Sequence, residues 1–257
     1  MTDTHTHLYD EAFDEDFLQA LDWAGEAGVG HFIFPGIDSS SYDAMIRRAS
    51  QAPDRISTAV GLHPTSVDSN WKNELAFVEN RLAEGGWCAV GEIGLDRHWS
   101  DAFFREQTEV FRTQMLWASE TGLPVIIHVR EAHDTVFSIL DSLREKGIRM
   151  RGVFHAFSGS PETYRRIRSY GCFRIGIGGV LTYRNAGIAD TVRDIPIEDI
   201  VLETDSPWLT PVPHRGKRNE SAYLAIIAAR LAGIKGLSVE EVDRITTDNA
   251  RQLFNLK

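Results

Sequence analysis

The sequence predicts a single-domain α/β protein that spans residues 1–257 and folds as a (β/α)8 barrel. Short, almost wholly apolar runs recur along the chain, as is typical of parallel strands buried on both faces. Most runs are followed by an amphipathic helical pattern, and eight such units in 257 residues average about 32 residues each, which suits a barrel of about 250 residues. The alternative, an open doubly wound sheet, is disfavoured because no glycine-rich phosphate loop follows the first strand.

The strands follow from the apolar runs, and the helices follow from apolar residues spaced three or four apart. The predicted strands are residues 3–8, 29–34, 56–62, 87–93, 123–129, 150–154, 172–177 and 200–203. One helical stripe begins at Phe13, and another begins at Val136 and ends near Gly147. Ser160-Pro161 is a typical helix start, because a capping hydroxyl precedes a proline in the first turn.

Composition narrows the class of protein. Hydrophobic residues make up 42% and charged residues 25%, which excludes disorder, and no apolar run approaches the roughly 20 residues that span a bilayer. The N-terminus lacks the basic and apolar regions of a signal peptide, and only two cysteines, Cys88 and Cys172, are present. We therefore expect a cytoplasmic protein without disulfides or membrane association, and no obligate protein partner is evident. A net charge of −10 disfavours a long nucleic-acid track but permits a small phosphate site.

Chemically active residues stand at the C-terminal ends of the predicted strands. These residues are His5, His7, His63, Glu92, His128, His155 and Asp205. In a barrel all these strand ends converge on one face, where active sites are built. Nitrogen and oxygen donors of this kind match a binuclear hydrolytic metal centre, in which Asp205 would orient the attacking water and accept its proton.

Each residue also has a simpler explanation when it is taken alone. The spacing of His5 and His7 aims both rings to one side of a strand, but the pair could instead belong to a frayed N-terminus. Glu92 could form a structural ion pair with an arginine, although the flanking Gly91 and Gly94 would let the backbone approach a bulky metal centre.

The two later histidines and the aspartate have similar alternatives. His128 and His155 could be hydrogen-bonded core residues, and Asp205 could cap a turn. Their common position at strand ends favours the metal centre over these independent explanations.

Six ordered motifs carry a family resemblance. They are Asp3-Thr4-His5-Thr6-His7, Gly61-Leu62-His63-Pro64, Gly91-Glu92-Ile93-Gly94-Leu95-Asp96, Ile126-Ile127-His128-Val129-Arg130, His155-Ala156-Phe157-Ser158-Gly159 and Glu203-Thr204-Asp205-Ser206-Pro207. Over essentially its whole length the chain resembles the TatD family of metal-dependent hydrolases. The resemblance implies two divalent metal ions, Zn, Mg or Mn. It assigns His5, His7 and Asp205 to one ion and His128 and His155 to the other, with Glu92 as the bridge and with Asp205 and Glu92 as catalytic residues.

The resemblance also implies a substrate. The family is associated with deoxyribonuclease activity, so we expect hydrolysis of phosphodiester bonds, as in a 3′-to-5′ exonuclease acting on short or single-stranded DNA bound at the barrel rim. His63, Arg130, Arg215 and Lys217 are the predicted substrate-binding residues. The alternatives are hydrolysis of carboxylic esters or cyclic amides and a non-catalytic binding role.

Some positions depart from the family pattern. Arg97-His98 stands where members often have two aromatics, Ala156 where they often have cysteine, and Ser221 where they often have proline. None of these residues is an expected metal ligand.

Overall fold

The computed structural model describes residues 1–256 and contains eight parallel strands in one sheet, paired in chain order from β1 to β8. The strands are β1 Thr2–Asp3, β2 His31–Phe34, β3 Ile56–Val60, β4 Ala89–Asp96, β5 Val125–Arg130, β6 Gly152–Phe154, β7 Phe173–Ile177 and β8 Ile200–Leu202. This order confirms the predicted (β/α)8 barrel.

At least one helix follows every strand. The helices are α1 Phe17–Glu26, α2 Ser39–Ala49, α3 Trp71–Glu84, α4 Phe104–Thr121, α5 His133–Glu145, α6 Pro161–Arg168, α7 Ile188–Asp194, α8 Leu224–Lys235 and α9 Val239–Phe254. The predicted capping at Ser160 is confirmed, since its hydroxyl accepts a hydrogen bond from the Thr163 backbone N–H at 3.2 Å. The stripe that begins at Phe13 is divided, because the Asp10 carboxylate caps a short 3-10 turn before α1 begins.

Strand β1 is shorter than the predicted 3–8, because the chain after Asp3 closes the barrel instead of continuing a regular ladder. Leu202 accepts a hydrogen bond from the Thr4 N–H at 3.0 Å. Further on, the Asp205 N–H donates to the His5 carbonyl at 2.9 Å, and the His7 N–H donates to the Ser206 carbonyl at 2.7 Å. Closure therefore brings both N-terminal histidines beside Asp205.

The barrel interior is filled by apolar side chains and is covered at its N-terminal end by α9. One buried cluster joins Ile33, Ala59, Ala89, Ile126, Val153 and Val201 to Ala250, Leu253 and Phe254 of that helix. Because this end is filled, the interior is open to polar chemistry only at the opposite, C-terminal end of the strands.

Within residues 1–256, no single helix has the length and apolar character to cross a membrane. The segments 221–235 and 239–254 meet those criteria only when taken together, and they are bent by 107° relative to each other.

Candidate metal centre

Strand alternation directs His128 of β5 and His155, the residue directly after β6, into the barrel. Ile126 and Val153 belong to the interior cluster, and each histidine follows one of them by two residues. Because side chains of a strand alternate between its two faces, both rings point inward above the apolar layer. This arrangement explains why the two rings approach each other, with His128 Nδ1 3.3 Å from His155 Nε2.

Glu92 points inward because of a β-bulge in β4. Ala89 faces the interior, so in a regular strand a residue three positions later would face outward. The pairing of β4 with β5 shifts between Val90 and Ile93, which inserts one extra residue at this point.

The glycines beside Glu92 have a different role from the one that the sequence suggests. A Cβ on Gly91 would lie 2.6 Å from Ile126 Cβ, and a Cβ on Gly94 would lie 1.9 Å from the His128 carbonyl oxygen. These glycines therefore let β4 pack closely against β5 and do not provide space for a metal ion.

The two carboxylate oxygens of Glu92 face two different groups of imidazoles. Oε2 lies 3.0 Å from His5 Nε2 and 3.9 Å from His7 Nε2. The same two ring nitrogens lie 3.7 and 3.5 Å from Asp205 Oδ1. One side of Glu92 thus faces a compact group of nitrogen and oxygen donors.

Three imidazoles face the other oxygen. Oε1 of Glu92 lies 2.9 Å from His155 Nε2, 3.0 Å from His128 Nδ1 and 3.2 Å from His63 Nε2. His63 is 9% exposed, so the residue predicted to bind substrate from the rim lies inside the donor cluster. All ion-pair partners of Glu92 among residues 1–256 are histidines, so the alternative of a structural arginine pair is wrong.

In His7 and His128, a hydrogen bond at one ring nitrogen leaves the other nitrogen available to the centre. The Tyr9 hydroxyl donates to the Pro35 carbonyl and therefore accepts from His7 Nδ1 at 2.8 Å. Asp96 Oδ2 lies 2.9 Å from His128 Nε2 and accepts its proton. In the neutral rings the lone pairs of His7 Nε2 and His128 Nδ1 are thus directed at Glu92 and its neighbours, as in metal sites whose outer partners orient the ligands. In the protonated rings the same two nitrogens donate to the carboxylates of Asp205 and Glu92.

This donor set fits divalent cations. His5 Nε2 and His7 Nε2 face each other at 3.1 Å, close to the separation of about 3.3 Å for two ligands at 2.0–2.1 Å from a tetrahedral ion. Without a cation, two such nitrogens can share only one proton. Among residues 1–256, three groups of donors have the spacing to hold an ion. They are His5 with His7 and Glu92, His5 with His155 and Glu203, and His63 with Glu92 and His128.

The pKa values of Glu92 and Asp205 depend on the balance between burial and the neighbouring histidines. Burial raises the pKa of Glu92, but the charges of His155, His63 and His5 and the hydrogen bond from His128 bring it well below its ordinary value. Burial also raises the pKa of Asp205, but the hydrogen bond from His7 and the charges of His5 and His155 together lower it overall. Both carboxylates are therefore ionised at neutral pH and available to a cation.

Backbone strain is concentrated in the loops that carry the site. Four non-glycine residues with left-handed φ angles follow β5, β6 or β8: Glu131 (54°), Ala156 (46°), Asp205 (57°) and Leu209 (54°). Such strain persists where the surrounding structure fixes it, and it is common at functional sites.

Three carboxylates next to the centre have no role in the sequence prediction, although all three lie in the motifs that carry the family resemblance. Asp96 contacts His128, and buried Glu203 lies with Oε1 3.7 Å from His155 Nδ1. Asp3 accepts hydrogen bonds from the Thr204 and Ser221 hydroxyls at 2.6 and 2.7 Å. Their position at strand ends, the signal that identified Glu92, would also have selected Asp96 and Glu203.

The predicted substrate-binding cations lie on exposed segments around the centre. Arg130 ends β5 with its guanidinium 5.4 Å from the Trp99 ring centre, and the Arg215 guanidinium lies 4.3 Å from the Tyr183 ring centre. Lys217 is exposed on the same loop as Arg215. Within residues 1–256 none of these three cations forms an ion pair with a carboxylate.

Arg218, the next cation of this loop, differs from its neighbours. Its guanidinium lies 2.7 Å from both Asp16 and Glu220. Arg218 therefore anchors the loop and is not free to bind an anion.

Comparison with known proteins identifies the family. A family model described as TatD related DNase matches residues 2–255. The chain belongs to the TatD family. It is 36% identical over 256 residues to "Uncharacterized metal-dependent hydrolase YabD" of Bacillus subtilis (strain 168), covering 99% of this chain and 98% of that protein. This TatD-family protein is therefore a metal-dependent hydrolase, and its histidine and glutamate clusters are able to hold metal ions.

Two further relatives extend over the whole TatD-family chain. "3'-5' ssDNA/RNA exonuclease TatD" of Erwinia tasmaniensis is 34% identical over 265 residues, covering 100% of both proteins. The crystal structure of YJJV, a TatD homologue from Escherichia coli K12, superimposes with a TM-score of 0.91 at 30% identity, covering 100% of this chain and 98% of that one.

Ser221, a position where this TatD-family chain departs from the family pattern, is part of the barrel closure. Its hydroxyl donates to Asp3 Oδ2 at 2.7 Å and lies 3.0 Å from Thr6 Oγ1. It thereby ties the segment before α8 to the end of β1 and to the segment after it that carries His5 and His7.

Replacing Asp96 by asparagine in this TatD-family protein is expected to weaken metal binding by about 10- to 100-fold, as is typical when an outer partner of a ligating histidine is lost. The amide cannot hold the proton on His128 Nε2 as the carboxylate does at 2.9 Å. Metal titration followed by calorimetry measures the change. Asp101→Asn, at a 63% exposed side chain that pairs with Arg97, is the matched control, and equal affinities for both variants would contradict the prediction.

Metal binding to the TatD-family centre is expected to strengthen as pH rises from about 5.5 to 8.5. Burial lowers the pKa of His155, but Glu92 and Glu203 bring it well above its ordinary value of 6.5. Burial likewise lowers the pKa of His128, but hydrogen bonds to Asp96 and Glu92 raise it overall. In the metal-free protein these protonated rings contribute stability that is present at low pH and is lost as pH rises through the raised pKa values.

A cation must displace those protons, so the difference in Tm between zinc-loaded and EDTA-treated protein should grow with pH. Paired thermal unfolding scans across this range measure it. A difference that stays constant would contradict the prediction.

Proposed function

We propose that this protein is a two-metal phosphodiesterase that removes nucleotides from the 3′ end of single-stranded DNA. One observation carries the proposal: the two oxygens of Glu92 face separate imidazole groups at the end of the barrel where three cations lack carboxylate partners. The relative from Erwinia tasmaniensis, named as a 3′-5′ ssDNA/RNA exonuclease and similar over its whole length, supports this substrate class.

We assign His5, His7 and Asp205 to one cation and His128 and His155 to the other. Glu92 would bridge them, since its oxygens lie 3.0 Å from His5 Nε2 and 2.9 Å from His155 Nε2. His63, 3.2 Å from Oε1 of Glu92, borders the second position and would contact the scissile group from there. Zinc suits the nitrogen-rich donors, whereas Mg and Mn suit the carboxylates.

When bound, two such cations polarise the phosphoryl oxygen and lower the pKa of the attacking water. Asp205 would orient that water and accept its proton, because the carboxylate is ionised and its side chain retains 15% exposure. Protonated Asp205 or a water at the rim would then return a proton to the leaving oxygen. Asp96 would keep His128 oriented throughout.

The charges around the mouth favour a strand end over a long duplex. Arg130, Arg215 and Lys217 are free to bind phosphate oxygens, in a protein whose net charge is −10. The segment after β1 is acidic and would repel a strand that continued across it. Its carboxylates are Asp10, Glu11, Asp14, Glu15 and Asp16.

A labelled oligonucleotide tests the activity. Metal-loaded protein should shorten a 5′-labelled single strand stepwise from its 3′ end, and His128→Ala should abolish the reaction. Equal digestion by both proteins, or cleavage of carboxylic esters and lactams alone, would overturn the nuclease proposal.

Neutralising the rim should separate phosphodiester cleavage from other hydrolysis. We expect the double variant Arg215→Gln, Lys217→Gln to lower kcat/KM on single-stranded DNA by about tenfold or more, because two charge-assisted contacts are lost. Hydrolysis of a neutral ester should stay within about twofold. Arg230→Gln, at an exposed position on α8, is the control, and equal losses on both substrates would contradict the assignment.

A further inference from the structure

Two of the most exposed aromatic side chains lie at the mouth of the barrel. Trp99 is 73% exposed in the loop after β4, and Trp208 is 50% exposed in the loop after β8. A third exposed tryptophan, Trp23, lies away from the mouth on α1 and is 42% exposed. An exposed aromatic ring beside the centre presents a π face on which an unpaired nucleobase can stack.

Trp208 is held beside the donors on the Oε2 side of Glu92. Its ring centre lies 5.0 Å from that of His7, with the planes inclined at 70°. Its backbone is fixed, because its N–H donates to the Asp205 carbonyl at 2.8 Å and its carbonyl accepts from Asn219 Nδ2 at 2.6 Å. The indole therefore has a defined position next to one proposed cation.

Trp99 lies on the opposite side of the centre, the side that Oε1 of Glu92 faces. Its loop is attached to Asp96, whose Oδ1 accepts the His98 N–H at 2.8 Å and whose Oδ2 lies 2.9 Å from His128 Nε2. The Arg130 guanidinium lies 5.4 Å from the Trp99 ring centre and covers one face of the indole. This side of the mouth thus presents an aromatic face next to a cation that lacks a carboxylate partner within residues 1–256.

We propose that Trp99 and Trp208 stack the two nucleobases that flank the scissile phosphodiester, one indole on each side of the centre. The inference rests on the proposed nuclease function and adds the reason for a preference for single strands. Every base has a π face, so stacking tolerates any sequence, but it requires bases that are not paired in a duplex. Phosphate contacts from Arg130 and base contacts from Trp99 would then act on the same nucleotide.

Abasic substrates test the stacking directly. Three single strands are compared: one with all bases, one abasic on the 5′ side of the cleaved bond and one abasic on the 3′ side. The wild-type protein should cleave each abasic strand about tenfold more slowly in kcat/KM than the complete strand. Trp99→Ala should remove this discrimination at one abasic position, and Trp208→Ala should remove it at the other.

Conservative variants and a matched control separate stacking from structure. Trp99→Phe and Trp208→Phe should retain most of the discrimination, and Trp23→Ala should leave it unchanged. Metal content and Tm are measured for each variant, so a folding defect would be recognised, and the phenylalanine variants then provide the comparison.

The outcomes distinguish the two proposals. If the wild-type protein cleaves complete and abasic strands at equal rates, the stacking proposal is overturned and the nuclease function stands. If no nucleic acid is cleaved, the proposed function fails and the stacking proposal fails with it. If Trp23→Ala changes discrimination as much as the mouth variants do, the assignment to Trp99 and Trp208 is wrong.

Discussion

Replacing Asp205 by asparagine is expected to lower kcat on single-stranded DNA by about 10²- to 10⁴-fold, the range lost with a general base. The amide cannot accept the proton of the attacking water. The substitution is mild for the backbone, because asparagine tolerates the left-handed conformation that Asp205 adopts at φ 57°. The hydrogen bond from its N–H to the His5 carbonyl at 2.9 Å is also retained.

Single-turnover kinetics on a 5′-labelled oligonucleotide measure this effect, and elemental analysis of the same preparation shows whether metal is retained. Asp190→Asn, at an 80% exposed side chain on α7, is the control and should leave kcat unchanged. If Asp205→Asn keeps its metal and loses less than about tenfold in kcat, Asp205 is not the base.

Replacing Glu92 by glutamine is expected to reduce the metal content from the proposed two ions per chain to fewer than one and to abolish hydrolysis. A neutral amide cannot bridge two cations. Its NH2 group would replace either Oε1, which lies 2.9–3.2 Å from the imidazoles of His63 and His155, or Oε2, which lies 3.0 Å from that of His5. The increase in Tm caused by zinc should disappear together with the bound metal.

Elemental analysis after dialysis and thermal unfolding with and without zinc test this prediction. Glu120→Gln, an exposed glutamate on α4, is the control and should bind metal as the wild type does. A Glu92→Gln protein that still binds two ions would rule out the bridging role.

The barrel was predictable because its signals are local. Apolar runs locate the strands β2 to β8, and the stripe that begins at Val136 corresponds to α5. The strand boundaries were less accurate where distant segments meet. Strand β1 ends at Asp3 because Thr4 bonds to Leu202, nearly two hundred residues away in the sequence, and no local pattern records that contact.

The convergence of the candidate residues was predictable for the same reason, since all strand ends of a barrel meet on one face. Their individual environments were not. His63 was expected at the rim and lies against Glu92, and Arg218 of the basic loop is paired with Asp16 and Glu220. Both outcomes depend on side chains from other loops.

The order of residues along the chain thus specifies the architecture and which chemical groups reach the mouth, because periodicity and strand ends are properties of neighbouring residues. Folding decides what those groups can do. The bulge that turns Glu92 inward arises from pairing with β5, and the free nitrogens of His7 and His128 depend on Tyr9 and Asp96. Side-chain direction and protonation respond to atoms a few ångströms away, and in a closed barrel those atoms come from every part of the chain.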